Sequence, residues 1–362
     1  MNNQKPMNVV GIMSGTSLDG VDFVLTKLGG KKPVFKEMAS VNFPKKLREK
    51  LILIAEGKMN FRESQIVHFE LGEFYNKSLE KIKKNKNWKF DLIGLHGQTV
   101  FHQAPQATTQ IGEPSFLKSF NVPVVSDFRS KIISAGGQGA PLAPIFHKEI
   151  MSDKHTDKTS WGFLNIGGMA NLTHSKNGKL FATDLGPGNI FLDKAAKLFL
   201  NKNFDKGGVL ACKGLPDLSV VKSFVNETAF FNKKTPKSCG REEFSDQVFT
   251  ALLKKMKNLS HEDQMATLAE ITLAPICKFL KTNSVADLVV AGGGVHNKYL
   301  MRGFTRELSG TELSTSDSAG WPSQAVEGGA FAHLAYLKVS GQAVDLSYMG
   351  LKKKLSPLGR ID

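Results

Sequence analysis

An α/β fold in two lobes is what this sequence predicts, and three observations predict it. The chain has 362 residues, more than a single hydrophobic core usually serves. Short β-branched runs alternate with amphipathic helical patterns, as in sheets that carry helices on their faces. The second half also reopens as the first does, with a strand, a glycine-containing turn and a strand. That is a repeat of architecture rather than of residues.

The elements follow in order. Asn8 to Met13 reads as a strand, and Val21 to Leu28 as its hairpin partner across a turn of small polar residues. Val34 to Asn42 is a third strand and Leu47 to Glu56 a helix. Ser64 to Lys84 places Ile66, Phe69, Leu71, Phe74, Leu79 and Ile82 at helical spacing. Phe90 to Leu95 is a buried strand running into His96-Gly97-Gln98-Thr99, and Val122 to Ser126 a short strand ending at Asp127. Gly136 to Pro144, rich in glycine and proline, is the expected lobe boundary, followed by a helix at Ile145 to Met151. Trp161 to Ile166, Met169 to His174 and Leu180 to Thr183 are strands, the last ending at Asp184, with a helix from Ile190. Helices are expected at Gln247 to Met256 and Met265 to Leu280. Ala286 to Ala291 is a strand, Lys298 to Leu308 a helix, and Ala325 to Val339 a helix of small residues. The expected division is a first lobe of residues 1–145, with 340–362 packing back on it, and a second lobe of 146–339.

Composition narrows the function. Hydrophobic residues make up 41% and charged residues 22% of the chain, an ordinary globular balance. The formal charge is +15, which attracts anions, but the lysines are scattered rather than blocked, as in a basic proteome or a surface tuned for solubility. No aromatic platform lies among them and no zinc-finger or RNP-type string occurs, so nucleic acid is not an expected partner. Three cysteines, Cys212, Cys239 and Cys277, without CxxC spacing, fit neither a disulfide framework nor a zinc cage. The polar start, Met1 to Pro6, lacks a signal-peptide pattern, and no apolar run could span a bilayer. The expected location is the cytoplasm, without a membrane partner.

Four stretches can carry chemistry. The first is GIMSGTSLDGVD, Gly11 to Asp22. Gly11, Gly15 and Gly20 permit close approach by a ligand, and Ser14, Thr16 and Ser17 add hydroxyls around Leu18. Consecutive backbone N–H groups in such a turn can nest a phosphate. An ordinary hairpin would explain the glycines alone; the hydroxyls with Asp19 and Asp22 in one tip favour phosphate. It is not a Walker loop, since no GxxxxGK[ST] string is present. The second is ATDLGPGN, Ala182 to Asn189, where a lone Asp184 at a strand end precedes Gly186, Gly188 and a helix. Asp184 could be a general base if burial raises its pKa, or a helix cap; these residues alone leave both open. The third is AGGGVHN, where Gly292, Gly293 and Gly294 could let a flat ligand lie on the backbone ahead of Asn297. The fourth gathers His96, Gln98, Thr99, His102, Asp127 and Arg129. These suit sugar hydroxyls, and Arg129 suits a carboxylate. Each histidine alone is as easily structural, and His96 with His102 matches no zinc spacing.

Taken together these segments resemble a known family, the anhydro-N-acetylmuramic acid kinases. GIMSGTSLDGVD, LHGQTVFH, QIGEPS, VVSDFR, GGQGAPLAP, NIGGMANLT, TDLGPGN, PKSCGRE and AGGGVHN follow in that family's order from about residue 8 to about residue 340. The resemblance implies a two-lobed actin-like ATPase fold, a duplicated ribonuclease H-like unit with an interlobe cleft. It implies ATP and Mg²⁺, and opening of the 1,6-anhydro bridge of anhydro-N-acetylmuramic acid with phosphorylation of O6, in cell-wall recycling. It implies Asp184 as catalytic base. Gly11, Ser14 to Gly20, Gly167, Gly168, Asn171, Gly186, Gly188, Gly292 to Gly294 and Asn297 would bind nucleotide. Asp22, His96, Gln98, Thr99, Arg129 and Glu327 would meet the sugar, and Asp19 and Asp22 are candidate Mg²⁺ contacts. A homodimer is implied as well. Other readings are a kinase of the same superfamily on another sugar or a carboxylate, and a non-catalytic nucleotide-binding regulator. The chain departs from the pattern at Cys239, where a threonine is expected, at FDKGG (Phe204 to Gly208), at the two glycines after Glu327, and in its lysine-rich tail.

Overall fold

The computed structural model of the chain describes residues 5–15, 17–151, 160–239, 241–351 and 354–362, the side chains of 241 and 242 excepted. Thr16 and Gly240 therefore lie outside the described residues. The chain divides into two compact units, Met1–Lys154 with Gly320–Asp362, and His155–Ala319.

In the first unit, β1 (Met7–Ser14), β2 (Gly20–Leu28) and β3 (Val34–Asn42) form an antiparallel meander. Helices α1 (Lys45–Ala55) and α2 (Phe61–Lys86) follow, then β4 (Leu92–Gln103), β5 (Ala107–Ile111) and β6 (Val124–Ser126). The long α2 starts where the Asn60 side chain accepts the Glu63 N–H, and ends at Asn87 in a left-handed conformation. β4 runs parallel to β1, and β6 parallel to β4. Leu51, Leu71, Tyr75 and Leu79 from the two helices cover one face of the sheet over Ile12, Phe23 and Leu95. Each such fully buried side chain contributes about 1.5–3 kcal/mol. Short helices α3 (Ser130–Ser134) and α4 (Ala143–Met151) close the first stretch of this unit.

The second unit repeats the plan. β7 (Trp161–Ile166), β8 (Met169–Lys176) and β9 (Lys179–Pro187) form a second antiparallel meander. They are followed by α5 (Ile190–Leu200), α6 (Leu218–Glu227), α7 (Ala229–Asn232), α8 (Asp246–Lys255) and α9 (His261–Thr282). β10 (Asp287–Ala291) is parallel to β7, and after α10 (Lys298–Glu307) β11 (Glu312–Thr315) is parallel to β10. The strand orders β3-β2-β1-β4-β6 and β9-β8-β7-β10-β11 are thus the same, direction for direction. The repeat expected from sequence is a repeat of topology.

The chain then returns to the first unit as α11 (Ala325–Val339) and β12 (Arg360–Ile361), which pairs with β6. The expected division left residues 325–339 in the second lobe; they pack instead on β1, β2 and β4. The reason is steric. A Cβ on Gly11 would lie 1.8 Å from the Gly328 carbonyl oxygen, and a Cβ on Gly328 would lie 2.4 Å from Val24 Cγ2. Helix and sheet touch backbone to backbone there, so the two glycines after Glu327 are packing residues. β5 and β11, both short and part-polar, are strands that periodicity alone does not reveal.

Candidate active site

In the first unit the β1–β2 hairpin is held from three sides. Leu18 turns inward with φ of 57° and is buried, leaving Ser17 and Asp19 exposed. Arg48 of α1 donates from Nε to the Leu18 carbonyl (2.9 Å) and from Nη2 to Asp19 Oδ1 (3.1 Å). Gln98 Nε2 donates to the Gly15 carbonyl (3.1 Å). Ser14, predicted as a ligand contact, is buried. Its hydroxyl donates to the Gly97 carbonyl (3.2 Å) and bonds the Tyr75 hydroxyl (2.9 Å), so it ties β1 to β4. Gly11 meets α11 and Gly20 meets β3, whereas Gly15 has open space beside it. Arg48 and Tyr75 were missed from sequence; nothing in their local pattern distinguishes them from a surface and a core residue.

The strand expected to stop at Leu95 continues as β4 to Gln103, and a polar cluster lies in its middle, where its pairing with β1 runs out. The β1–β4 register slips between Ile12 and Met13, leaving His96 as an extra residue before Gly97. Such a bulge re-aims side chains at a sheet end. Arg129 Nη2 donates to His96 Nε2 (3.0 Å), and the His96 ring lies 4.2 Å from that of Phe331. Burial first and the Arg129 charge second hold His96 well below the usual histidine range, so it is neutral and acts as acceptor. Burial lowers Arg129 to about 10, with Glu327 opposing. Arg129 Nε, His96 Nδ1 and Gln98 Oε1 are buried without a hydrogen-bond partner, an unmet demand that a polar ligand could satisfy. Thr99 Oγ1 accepts from Gln110 Nε2 (3.4 Å), and Asp127 Oδ1 accepts the Ser130 N–H (3.3 Å) just ahead of α3.

Two carboxylates complete this group. Asp22 accepts a short hydrogen bond from Ser40, and burial raises its pKa. Glu327, in the first turn of α11, is reached by water yet closely surrounded by protein. That crowding raises its pKa first and the Asp22 charge second, against Arg129. Asp19 is exposed and pairs with Arg48 (3.1 Å). Among the described residues no three His, Cys, Asp or Glu side chains are grouped to hold a metal.

The second unit carries Asp184. β9 was expected to end there; it continues to Pro187 through a bulge, because Ala170 pairs with Gly186 while Asn171 pairs with Asp184. Gly186 takes φ of 131° to make this possible. Asp184 is half-buried, its Oδ2 accepts the Cys239 N–H (2.7 Å), and its own N–H donates to the Lys237 carbonyl (2.8 Å). It does not cap α5. Burial raises its pKa and the Cys239 amide opposes. The Gly167-Gly168 turn accepts the N–H groups of Gly188, Asn189 and Ile190 at 2.8–3.0 Å, which closes the start of α5. Asn297 is buried and caps α10 through Tyr299 and Leu300. Gly292 and Gly294 abut Asn165 and Ile166, but a Cβ on Gly293 would meet nothing nearer than 3.7 Å. An open backbone face therefore remains at Gly293 and Gly168.

A model of the anhydro-N-acetylmuramic acid kinase family matches residues 7–361. The chain belongs to that family. It is 36% identical over 337 residues to the anhydro-N-acetylmuramic acid kinase of Hahella chejuensis, covering 90% of each chain. It is 34% identical over 366 residues to that of Sulfurimonas denitrificans, covering 97% of this chain and 98% of the other. Among solved structures it is similar to the (R)-2-hydroxyglutaryl-CoA dehydratase component A of Acidaminococcus fermentans, at 16% identity and a TM-score of 0.45, covering 92% and 99%. As a member of the anhydro-N-acetylmuramic acid kinase family the protein is a phosphotransferase, a sugar kinase of cell-wall recycling. Two departures from the family pattern now have physical reasons. Cys239 serves Asp184 through its main-chain N–H, which a threonine would supply equally. In FDKGG, Asp205 accepts the N–H groups of Leu210 and Ala211, and Gly208 leaves room for the Asn297 side chain.

Proposed function

We propose that the protein hydrolytically opens the 1,6-anhydro ring of 1,6-anhydro-N-acetylmuramic acid and phosphorylates O6 with ATP, giving N-acetylmuramic acid 6-phosphate and ADP. The observation that carries this is the state of Asp184, a lone, half-buried carboxylate with one oxygen held by an amide. A carboxylate of raised basicity is suited to take a proton from water attacking the anomeric carbon, as in inverting glycoside hydrolysis. The bridge oxygen leaves C1 with the bonding electron pair, becomes O6, and attacks the terminal phosphorus of ATP. ADP departs with the electrons of the broken P–O bond. Because O6 leaves the bridge as an alkoxide, it needs no separate base.

The other predicted residues take roles in keeping with their surroundings. The N–H groups and hydroxyls of the Gly15 to Gly20 tip, held by Arg48 and Gln98, cradle phosphate. Gly168 and Gly293 offer bare backbone to the nucleoside. Arg129 receives the lactyl carboxylate through its unpartnered Nε, and Thr99 and Glu327 receive hydroxyl and amide groups of the sugar. When bound with ATP, Mg²⁺ offsets charge on the phosphates. Asp22 would hold it through water, with Glu327 nearby in the same field. We further propose that the enzyme works in the cytoplasm as a homodimer. Free cysteines and apolar side chains left exposed on α2 (Phe61, Ile66 and Phe69) support that reading.

Incubating the purified protein with ATP, Mg²⁺ and the anhydro-sugar tests the proposal. One ADP and one sugar 6-phosphate per sugar consumed is the expected result. ADP release with an unrelated hexose and none with the anhydro-sugar would overturn it.

A further inference from the structure

We infer that the segment Lys237 to Cys239 is a strap that positions Asp184, and that the Lys237 side chain fastens the strap to the aromatic core of its unit. The inference rests on the reading of Asp184 as the base and adds the device that orients it. β9 is the edge strand of its sheet, and an edge leaves backbone groups unpaired. At Asp184 the edge is closed by this segment. The Asp184 N–H donates to the Lys237 carbonyl (2.8 Å), and the Lys237 N–H donates to Thr183 Oγ1 (3.0 Å). Two residues on, the Cys239 N–H donates to Asp184 Oδ2 (2.7 Å).

Backbone pairing over three residues is weak without an anchor, and Lys237 supplies one. Its Nζ donates to the Phe230 carbonyl (2.9 Å) and lies 4.2 Å from the Phe230 ring centroid and 5.8 Å from that of Phe231. Phe230 is itself buried in the core, 5.6 Å from the Phe244 ring. A cation held on an aromatic face and bonded to a carbonyl fixes the strap to packed structure.

The consequence is chemical. One carboxylate oxygen is committed to an amide, so the other is the one available to water. A donor to the ionised form also favours that form, against burial, which favours the acid. Around Lys237 the titratable groups are Lys233, Cys239 and Glu243, of which Lys233 and Glu243 pair with each other; on Asp184 itself burial and the Cys239 amide are the two influences. Its β8 neighbour is the neutral Asn171. Lys237 is a positioning residue, reaching the reaction only through Asp184.

Two measurements on the full-length protein test this. In Lys237→Met the acid limb of kcat/KM should move up by about one pH unit, with kcat/KM near neutrality down roughly tenfold, while Lys237→Arg keeps the wild-type limb. An unmoved limb in Lys237→Met would overturn the inference. Should that variant fail to fold, the wild type decides alone. By NMR, the Cys239 amide proton and the Asp184 carboxyl carbon should titrate with one shared midpoint; a Cys239 amide that ignores that midpoint overturns the strap. Wild-type protein that turns over no anhydro-sugar would sink the proposed function instead, and the amide titration would still report on the strap.

Discussion

Asp184 carries opposite consequences for chemistry and for stability. As the proposed base it must be ionised, so activity should fall as pH drops through its raised pKa. In the folded state it holds its proton more tightly than in the unfolded chain. Its favourable contribution to stability is therefore present at low pH and lost as pH rises through the folded pKa. Asp184→Asn removes the ionisation and keeps an acceptor for the Cys239 N–H. Turnover should fall by roughly 10²–10⁴-fold while ATP binding, read by calorimetry, persists. Melting at neutral pH should be unchanged or raised by a few degrees, a gain that shrinks as pH is lowered. Arg129 belongs to the same scale. Its geometry with His96 is that of a guanidinium with donors to spare, so Arg129→Met should raise KM for the anhydro-sugar about tenfold or more with little change in KM for ATP. The residue types at both positions were legible in sequence, since a lone Asp or Arg beside a β-branched or apolar run is conspicuous, although Asp184 lies within β9 rather than after it. Their partners were not, because a main-chain amide 55 residues away leaves no trace in side-chain pattern.

Among the elements, glycines divide by what lies beside them, which no motif can state. Gly294→Ala would press a Cβ to 2.5 Å from Ile166 Cβ, whereas Gly293→Ala meets only Asn189 Nδ2 at 3.7 Å. Gly294→Ala should lower the melting temperature, by about 1–3 kcal/mol of stability. Gly293→Ala should melt like wild type yet raise KM for ATP; an unchanged KM would remove Gly293 from the nucleotide site. Strand and helix positions were mostly readable, because β-branched runs and capped amphipathic helices announce themselves. Register was not. The bulges that set His96 and Asp184 depend on cross-strand pairing, a non-local property. The place of α11 was hidden too, since its small residues are equally at home against either sheet until Gly11 and Gly94 are seen to admit its backbone.

For the whole molecule, the duplicated strand order places the Gly15 to Gly20 turn in one unit and the Asp184 edge strand in the other; the proposed roles are phosphate binding for the first and the base for the second. The C-terminus is part of the first unit: Asp362 N–H donates to the Val124 carbonyl (2.9 Å), and its carboxylate bonds Ser126. Deleting residues 360–362 should lower the melting temperature and leave KM for ATP in the folded fraction unchanged. The most direct test of the proposed chemistry is to run the reaction in ¹⁸O-water and locate the label by mass spectrometry. Water activated by Asp184 puts one ¹⁸O on C1 of the sugar phosphate and none on its phosphoryl group, and the Asp184→Asn protein forms no labelled product. Label in the phosphoryl group, or an unlabelled sugar 6-phosphate trapped before its anomeric oxygen exchanges, would contradict it.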